Sequence, residues 1–260
     1  MRRIAFIVIG LVLSGCGGQS TSVQPTAGPT TAATTIATGT AAPSRTPGPS
    51  ANLCTHAEGG AGANRCRGPL HSGTYTTYEL EPPLTYTVAD GWANWEDLPG
   101  NFLLLPPGAS LVGVNPGTSD YLGVYASVAQ PGKCTGRVAE NVDLSFDAYV
   151  AWLTANKALQ VTDPQDVTVG GLPGVKVDVT MKAGPGDGCP DGPYADVYVG
   201  KLPSDLLHGV NPGYFLRLYL LRNADRIVAI EIADAKGGSD FADWPKAADE
   251  VVAQFQFGAP

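Results

Sequence analysis

Histidine is scarce in this chain of 260 residues, which has only His56, His71 and His208. None belongs to an H-E-x-x-H pair, so a metalloprotease-type zinc centre has no ligands. No two cysteines stand as C-x-x-C, which removes the usual four-cysteine zinc site. The nucleophile turn G-x-S-x-G is absent, and so is the phosphate loop G-x-x-x-x-G-K-[ST]. Gly59-Gly60, Gly170-Gly171 and Gly237-Gly238 therefore read as turns. Basic charge is also short, with 16 Lys and Arg against 24 Asp and Glu and a formal net charge of -8. An acidic domain is repelled by phosphate backbones and by anionic headgroups. Nucleic acid is excluded as a partner, and any hold on a membrane has to be covalent or hydrophobic.

The N-terminus supplies such a hold. Arg2 and Arg3 precede the apolar run Ile4–Leu13, which is too short to cross a bilayer but fits the core of an export signal. It ends in Leu13-Ser14-Gly15-Cys16, which resembles the bacterial lipobox. That resemblance implies cleavage after residue 15, acylation of Cys16 and a palmitate-type anchor. A two-chain lipid, at about 0.8 kcal/mol per buried methylene, holds stably to a membrane. The expected address is the extracytoplasmic face of the cell membrane.

From Gly17 to Asn52 the chain is Thr, Ala, Ser, Pro and Gly, with only Val23 and Ile36 as larger apolar residues. Such a stretch buries too little surface to offset its ordering entropy, so it reads as a disordered tether. Flexible coil of this length reaches about 30–35 Å root-mean-square. The expected organisation is a signal at 1–15, a lipidated tether at 16–52 and one globular domain at 53–260.

Within the domain, β-rich segments begin at Thr74–Leu80 and Leu84–Val88, the latter closed by Asp90-Gly91 and Trp92. Phe102–Leu105, Tyr121–Val128 and Tyr194–Val199 read as further strands. Val167–Val169 and Val175–Met181 flank Gly170-Gly171 as a hairpin, and Phe215–Leu221 and Ile227–Ile232 flank Asn223-Ala224-Asp225 as another. Ser145 is placed to cap a helix in which Phe146, Tyr149, Val150 and Leu153 share a face. A second helix starts near Asp243, where Pro245 falls in the first turn and Ala248, Val251 and Val252 lie on one side. The fold class is α+β: an antiparallel sheet of about six to eight strands flanked by two or more amphipathic helices. Leu84-Thr-Tyr-Thr-Val-Ala-Asp-Gly-Trp92, the helix from Phe146 and Val167-Thr-Val-Gly-Gly-Leu-Pro-Gly-Val175 resemble the PsbP-like fold. More closely, they resemble actinobacterial lipoproteins that carry such a domain. The resemblance spans about residues 74–257, implies that sheet-and-helix architecture, and transfers no functional residue.

After Cys16 four cysteines remain, Cys54, Cys66, Cys134 and Cys189. An even number in an exported chain implies disulfides, with three connectivities open, of which 54–66 and 134–189 are the expected pairs. Asp187-Gly-Cys-Pro-Asp191-Gly192 begins like a calcium loop, but its third position is Cys189 and its twelfth is Tyr198, so the bidentate acid is missing. Glu96/Asp97 and Asp163/Asp166 are carboxylate pairs without a visible partner. Tyr86, Trp92, Trp95 and Phe102 are the candidate ligand-binding aromatics, against their reading as core. No metal or cofactor is expected. The function expected is a lipid-anchored binding or interaction module of the cell envelope, taking an envelope protein or a small apolar ligand. One alternative is an envelope hydrolase using His208 with Ser204 or Asp205, His208 otherwise being a surface histidine. The other is an accessory subunit of an envelope complex.

Overall fold

A computed structural model describes residues 67–112, 114, 119–184, 192–201, 206–235 and 243–258. The chain divides into a unit at Met1–Thr46 and a unit at Pro47–Pro260, and all described residues belong to the second. The signal, the tether, Cys16, Cys54, Cys66 and Cys189 lie outside the described residues.

The strands are β1 Gly68–Pro69, β2 Gly73–Thr76, β3 Leu84–Val88, β4 Ala93–Asp97, β5 Asn101–Leu105, β6 Tyr121–Ala129 and β7 Leu159–Val161. They continue with β8 Gln165–Val169, β9 Leu172–Met181, β10 Ala195–Gly200, β11 Leu206–Val210, β12 Phe215–Asn223, β13 Arg226–Asp234 and β14 Gln256–Phe257. The helices are α1 Phe146–Ala155 and α2 Trp244–Val252. Turn chemistry sets the hairpins. Val169 pairs with Leu172 across Gly170 and Gly171, whose φ angles of 56° and 86° suit a two-residue turn that L side chains resist. At Gly174 an added Cβ would lie 1.9 Å from the Leu220 carbonyl oxygen, so only glycine lets β9 approach β12 this closely. α1 begins as its sequence dictates, with the Ala148 N–H donating to the Ser145 hydroxyl at 3.3 Å.

Eleven strands form one sheet, in the order β1-β4-β5-β6-β13-β12-β9-β7, with the β10–β11 hairpin joined to β6 and β8 joined to β9. A second sheet has three strands, β14-β3-β2. All the strand pairs are antiparallel. The expectation of six to eight strands flanked by two or more amphipathic helices is overturned. The molecule is mostly sheet, with two helices among the described residues. The miscount has a physical cause. β4 contains Asn94, Glu96 and Asp97, and β11 contains His208 and Gly209, so neither shows the apolar alternation by which strands are read.

Alternation along the central strands makes two cores. Tyr121 and Tyr125 of β6, Ala229 and Ala233 of β13, and Leu216, Leu218 and Leu220 of β12 face one side. α1 covers that side with Phe146, Tyr149 and Leu153, and the β10–β11 hairpin adds Val197, Tyr198 and Val210. Leu122, Val124, Val228, Ile230, Ile232 and Leu221 face the other, beneath Leu84, Tyr86 and Val88 of β3 and Ala248, Val251 and Val252 of α2. Burial at roughly 25 cal/mol per Å² of apolar surface is the main force on both sides. On the second side Arg217 forks onto Asp178 at 2.7 and 3.0 Å and donates to Asp249 of α2 at 2.7 Å. The Tyr219 hydroxyl donates to the same Asp249 at 2.6 Å. This clamp fixes α2 to β12 and β9.

Candidate functional site

Strand β13 reads Ile227-Val-Ala-Ile-Glu-Ile-Ala-Asp234. Its parity places Glu231 with Ala229 and Ala233, so a carboxylate enters the first core, 1% exposed. The Tyr121 hydroxyl donates to Glu231 Oε1 at 2.5 Å, and the Tyr198 hydroxyl donates to Oε2. His208 Nδ1 lies 3.3 Å from Oε2. Tyr125 and Tyr214 are buried in the same core. The imidazole of His208, 5% exposed, stacks on Tyr198 at 4.4 Å and meets the edge of Tyr125 at 4.4 Å. Its Nε2 has no hydrogen-bond partner among the described residues.

Burial works to raise the Glu231 pKa, but the adjacent His208 and the hydrogen bonds from His208, Tyr121 and Tyr198 outweigh it and hold the carboxyl below its ordinary value. The same burial, together with the Glu231 charge, pushes Tyr121, Tyr125 and Tyr198 well above the ordinary phenol range. Nearby Glu96 is raised by burial, against the opposing effects of its bond from Asn101 and of His208.

A carboxylate beside an imidazole has the parts of a general base, but catalysis needs a reachable proton. Here both groups are sealed, and the hydroxyls bonded to the carboxylate are tyrosines held in the core. The reading of His208 as a surface histidine is corrected: β11 turns it inward against β6 and β10. Ser204 and Asp205, its proposed catalytic partners, lie outside the described residues.

The remaining candidates separate by burial. Tyr86, Trp92 and Phe102 are packed in the second core, with Tyr86 4.9 Å from Phe102 and Trp92 5.6 Å from Trp244. Trp95 is partly buried under the Arg67 guanidinium, 3.4 Å from its ring centre. Asp97 accepts the N–H groups of Tyr78, Glu79 and Leu80 at 2.6, 3.1 and 3.1 Å, so it fixes a bend. Asp163 and Asp166 are exposed, as is His71, 3.8 Å from Asp90. His56 and the 187–191 segment lie outside the described residues. Cys134 is described, but Cys54, Cys66 and Cys189, its possible disulfide partners, lie outside the described residues. Among the described residues no three His, Cys, Asp or Glu side chains group as metal ligands, and no helix is long and apolar enough to cross a membrane.

One open feature among the described residues is a cleft of about 650 Å³ between the loop after β6, the C-terminal end of α1 and the start of β10. Gln130, Lys133 and Glu140 line it from the loop after β6, Trp152 from α1, Asn156 and Lys157 from just beyond the helix, and Asp196 from β10. The loop is tied to itself: Gly132 N–H donates to Arg137 at 2.7 Å, Ala139 N–H donates to Gln130 at 2.9 Å, and Pro131 bridges Val138. A bulge between Asp196 and Tyr198 breaks the β10–β11 register at the cleft floor. Sequence reasoning missed this site because its walls come from three separated segments. One local signal existed: Asp196 and Glu231 are carboxylates inside otherwise apolar strands.

No family model matches the sequence, and no curated protein matches it. Thirteen chains of solved structures do match. The solution structure of cyanobacterial PsbP (CyanoP) from Synechocystis is 11% identical, over 73% of this chain and 94% of that one, with a TM-score of 0.32. The crystal structure of LpqN, involved in cell envelope biogenesis of Mycobacterium tuberculosis, is 12% identical, over 74% and 91%, with a TM-score of 0.33. At these scores the likeness transfers neither ligand nor activity to this chain.

Proposed function

We propose that this chain is a binding module, not an enzyme, held by a lipid on Cys16 at the extracytoplasmic face of a membrane and partnered there with envelope material. One observation carries the binding reading. The ionisable cluster around Glu231 is closed to solvent, whereas the Asp196 cleft is open, polar and walled by a tied loop. The anchor rests on Leu13-Ser14-Gly15-Cys16 and on the acidic charge, which leaves a covalent or hydrophobic means of attachment. The disulfide pairs 54–66 and 134–189 belong to the same reading, since oxidised cysteines persist outside the cytoplasm.

The test uses the full-length protein and a variant whose cleft is filled, Ala155→Trp, at an exposed position of the lining. Labelled envelope material retained by the parent and released by the variant supports the reading. Cleavage of that material, abolished by His208→Ala, overturns it. Loss of palmitate label in Cys16→Ser supports the anchor, and retained label refutes it.

A further inference from the structure

The cleft has an internal polarity. At its floor lies Asp196, 3% exposed, and the β10 bulge there is the kind of irregularity that re-aims a side chain. The C-terminal end of α1 lines the same cleft through Ala155 and the capping Asn156, and α1 has no basic residue in its last turn. The partial negative charge of the helix end is therefore not offset within the helix. The exposed rim carries Lys133 and Lys157 against the single acid Glu140. The cleft is thus negative within and net positive at the mouth. Trp152 adds an apolar surface to the lining.

A simple cation suits the floor and meets lysines at the mouth. A simple anion suits the mouth and meets a buried carboxylate. A neutral polyol uses neither charge. Resting on the binding-module reading, we propose that the cleft takes a small zwitterion with a primary ammonium and a carboxylate, an α-amino acid or free-ended dipeptide. Its ammonium enters toward Asp196 and the helix end, its carboxylate faces Lys133 and Lys157, and its side chain lies along Trp152. The volume falls within the ~300–1,000 Å³ usual for small-ligand sites. The loop's own hydrogen bonds hold the rim in place before the ligand arrives, which lowers the ordering cost of binding.

Calorimetric titration of the full-length protein tests this with alanine, alanyl-alanine, methylammonium, acetate and glucose. Alanine or its dipeptide should bind, and the single-charge halves should bind at least about tenfold more weakly. Asp196→Asn should cost about tenfold or more in affinity for alanine. Should that variant fail to fold, the double variant Lys133→Ala/Lys157→Ala, at exposed positions, decides: it should bring the affinity for alanine down to that for methylammonium. Unchanged affinity in the double variant overturns the zwitterion. Binding of glucose without alanine also overturns it, yet leaves the cleft a binding site. No binding by any probe refutes the zwitterion; the wider reading falls with it only if Ala155→Trp retains envelope material as the parent does.

Discussion

Two carboxylates hold elements to opposite sides of one sheet, and they do so in different solvents. Glu231 is sealed in the first core with His208 and two phenol donors. Asp249 on the second side receives Arg217 and Tyr219 while its side chain stays 28% exposed. A sealed charge depends wholly on its protein partners, because no water replaces a lost one. A half-exposed charge shares its burden with solvent. The difference teaches that the β10–β11 hairpin, which carries Tyr198 and His208, is held by an interaction that fails abruptly, and α2 by one that weakens gradually.

The comparison breaks first at Glu231. Glu231→Ala should cost about 3–5 kcal/mol in urea unfolding, because it strands buried donors. The variant Glu231→Leu/His208→Phe/Tyr121→Phe/Tyr198→Phe, which removes the stranded hydroxyls as well, should recover most of that loss, since replacing a whole buried polar cluster by apolar groups is close to neutral. A multiple variant as unstable as the single one would refute the account. The acid limb sharpens it. The folded-state pKa of Glu231 lies below its unfolded value, so its contribution is present above the unfolded pKa and is lost as pH falls through the folded one. Glu231→Gln should flatten the fall in stability with acid, read as Tm against pH.

Next comes the loop wall. Cys134→Ser should lower stability by about 2–4 kcal/mol and release one reactive thiol, and peptide mapping of the parent should join Cys134 to Cys189. Mapping that joined Cys134 to Cys54 or Cys66 would refute the pairing. Arg217→Ala should cost about 1–3 kcal/mol, measured by thermal unfolding, since it removes two charge-assisted contacts that water partly replaces. The smallest effect belongs to Arg222, whose ion pair with Asp147 is 46% and 81% exposed. Asp147→Ala should change stability by about 0–1 kcal/mol, and added salt should erase the difference.

Much of this was legible beforehand, and the rest was hidden for definite reasons. β3, β6, β9, β12 and β13 announce themselves by apolar strand patterns, the 170–171 hairpin by its glycines, and α1 by Ser145. Parity along β13 required a carboxylate on one face, but only the hairpin above it decided that this face is buried. His208 reads as a surface histidine because Gly209 beside it breaks the apolar pattern, while its inward turn comes from pairing with Tyr198. Tyr86, Trp92 and Phe102 fitted a groove as well as a core until α2 and β14 arrived from the far end of the chain to cover that side. Of the cleft only Asp196, a carboxylate in an apolar strand, left a mark in the sequence, since Gln130, Trp152 and Asp196 meet only after folding.

Among the described residues, the β10–β11 hairpin joins the main sheet through two residue pairs with β6, Ala129 with Val199 and Val128 with Gly200, and one further bond from the Lys201 N–H to the Ser127 carbonyl. Backbone pairing alone would let it fray like a surface flap. Yet it cannot lift without uncovering the Glu231 charge, so its opening is tied to the loss of the first core. Its amide protons, those of Val197 to Val199 among them, should therefore exchange with solvent on the timescale of global unfolding, and the hairpin and the centre of the sheet form one cooperative unit.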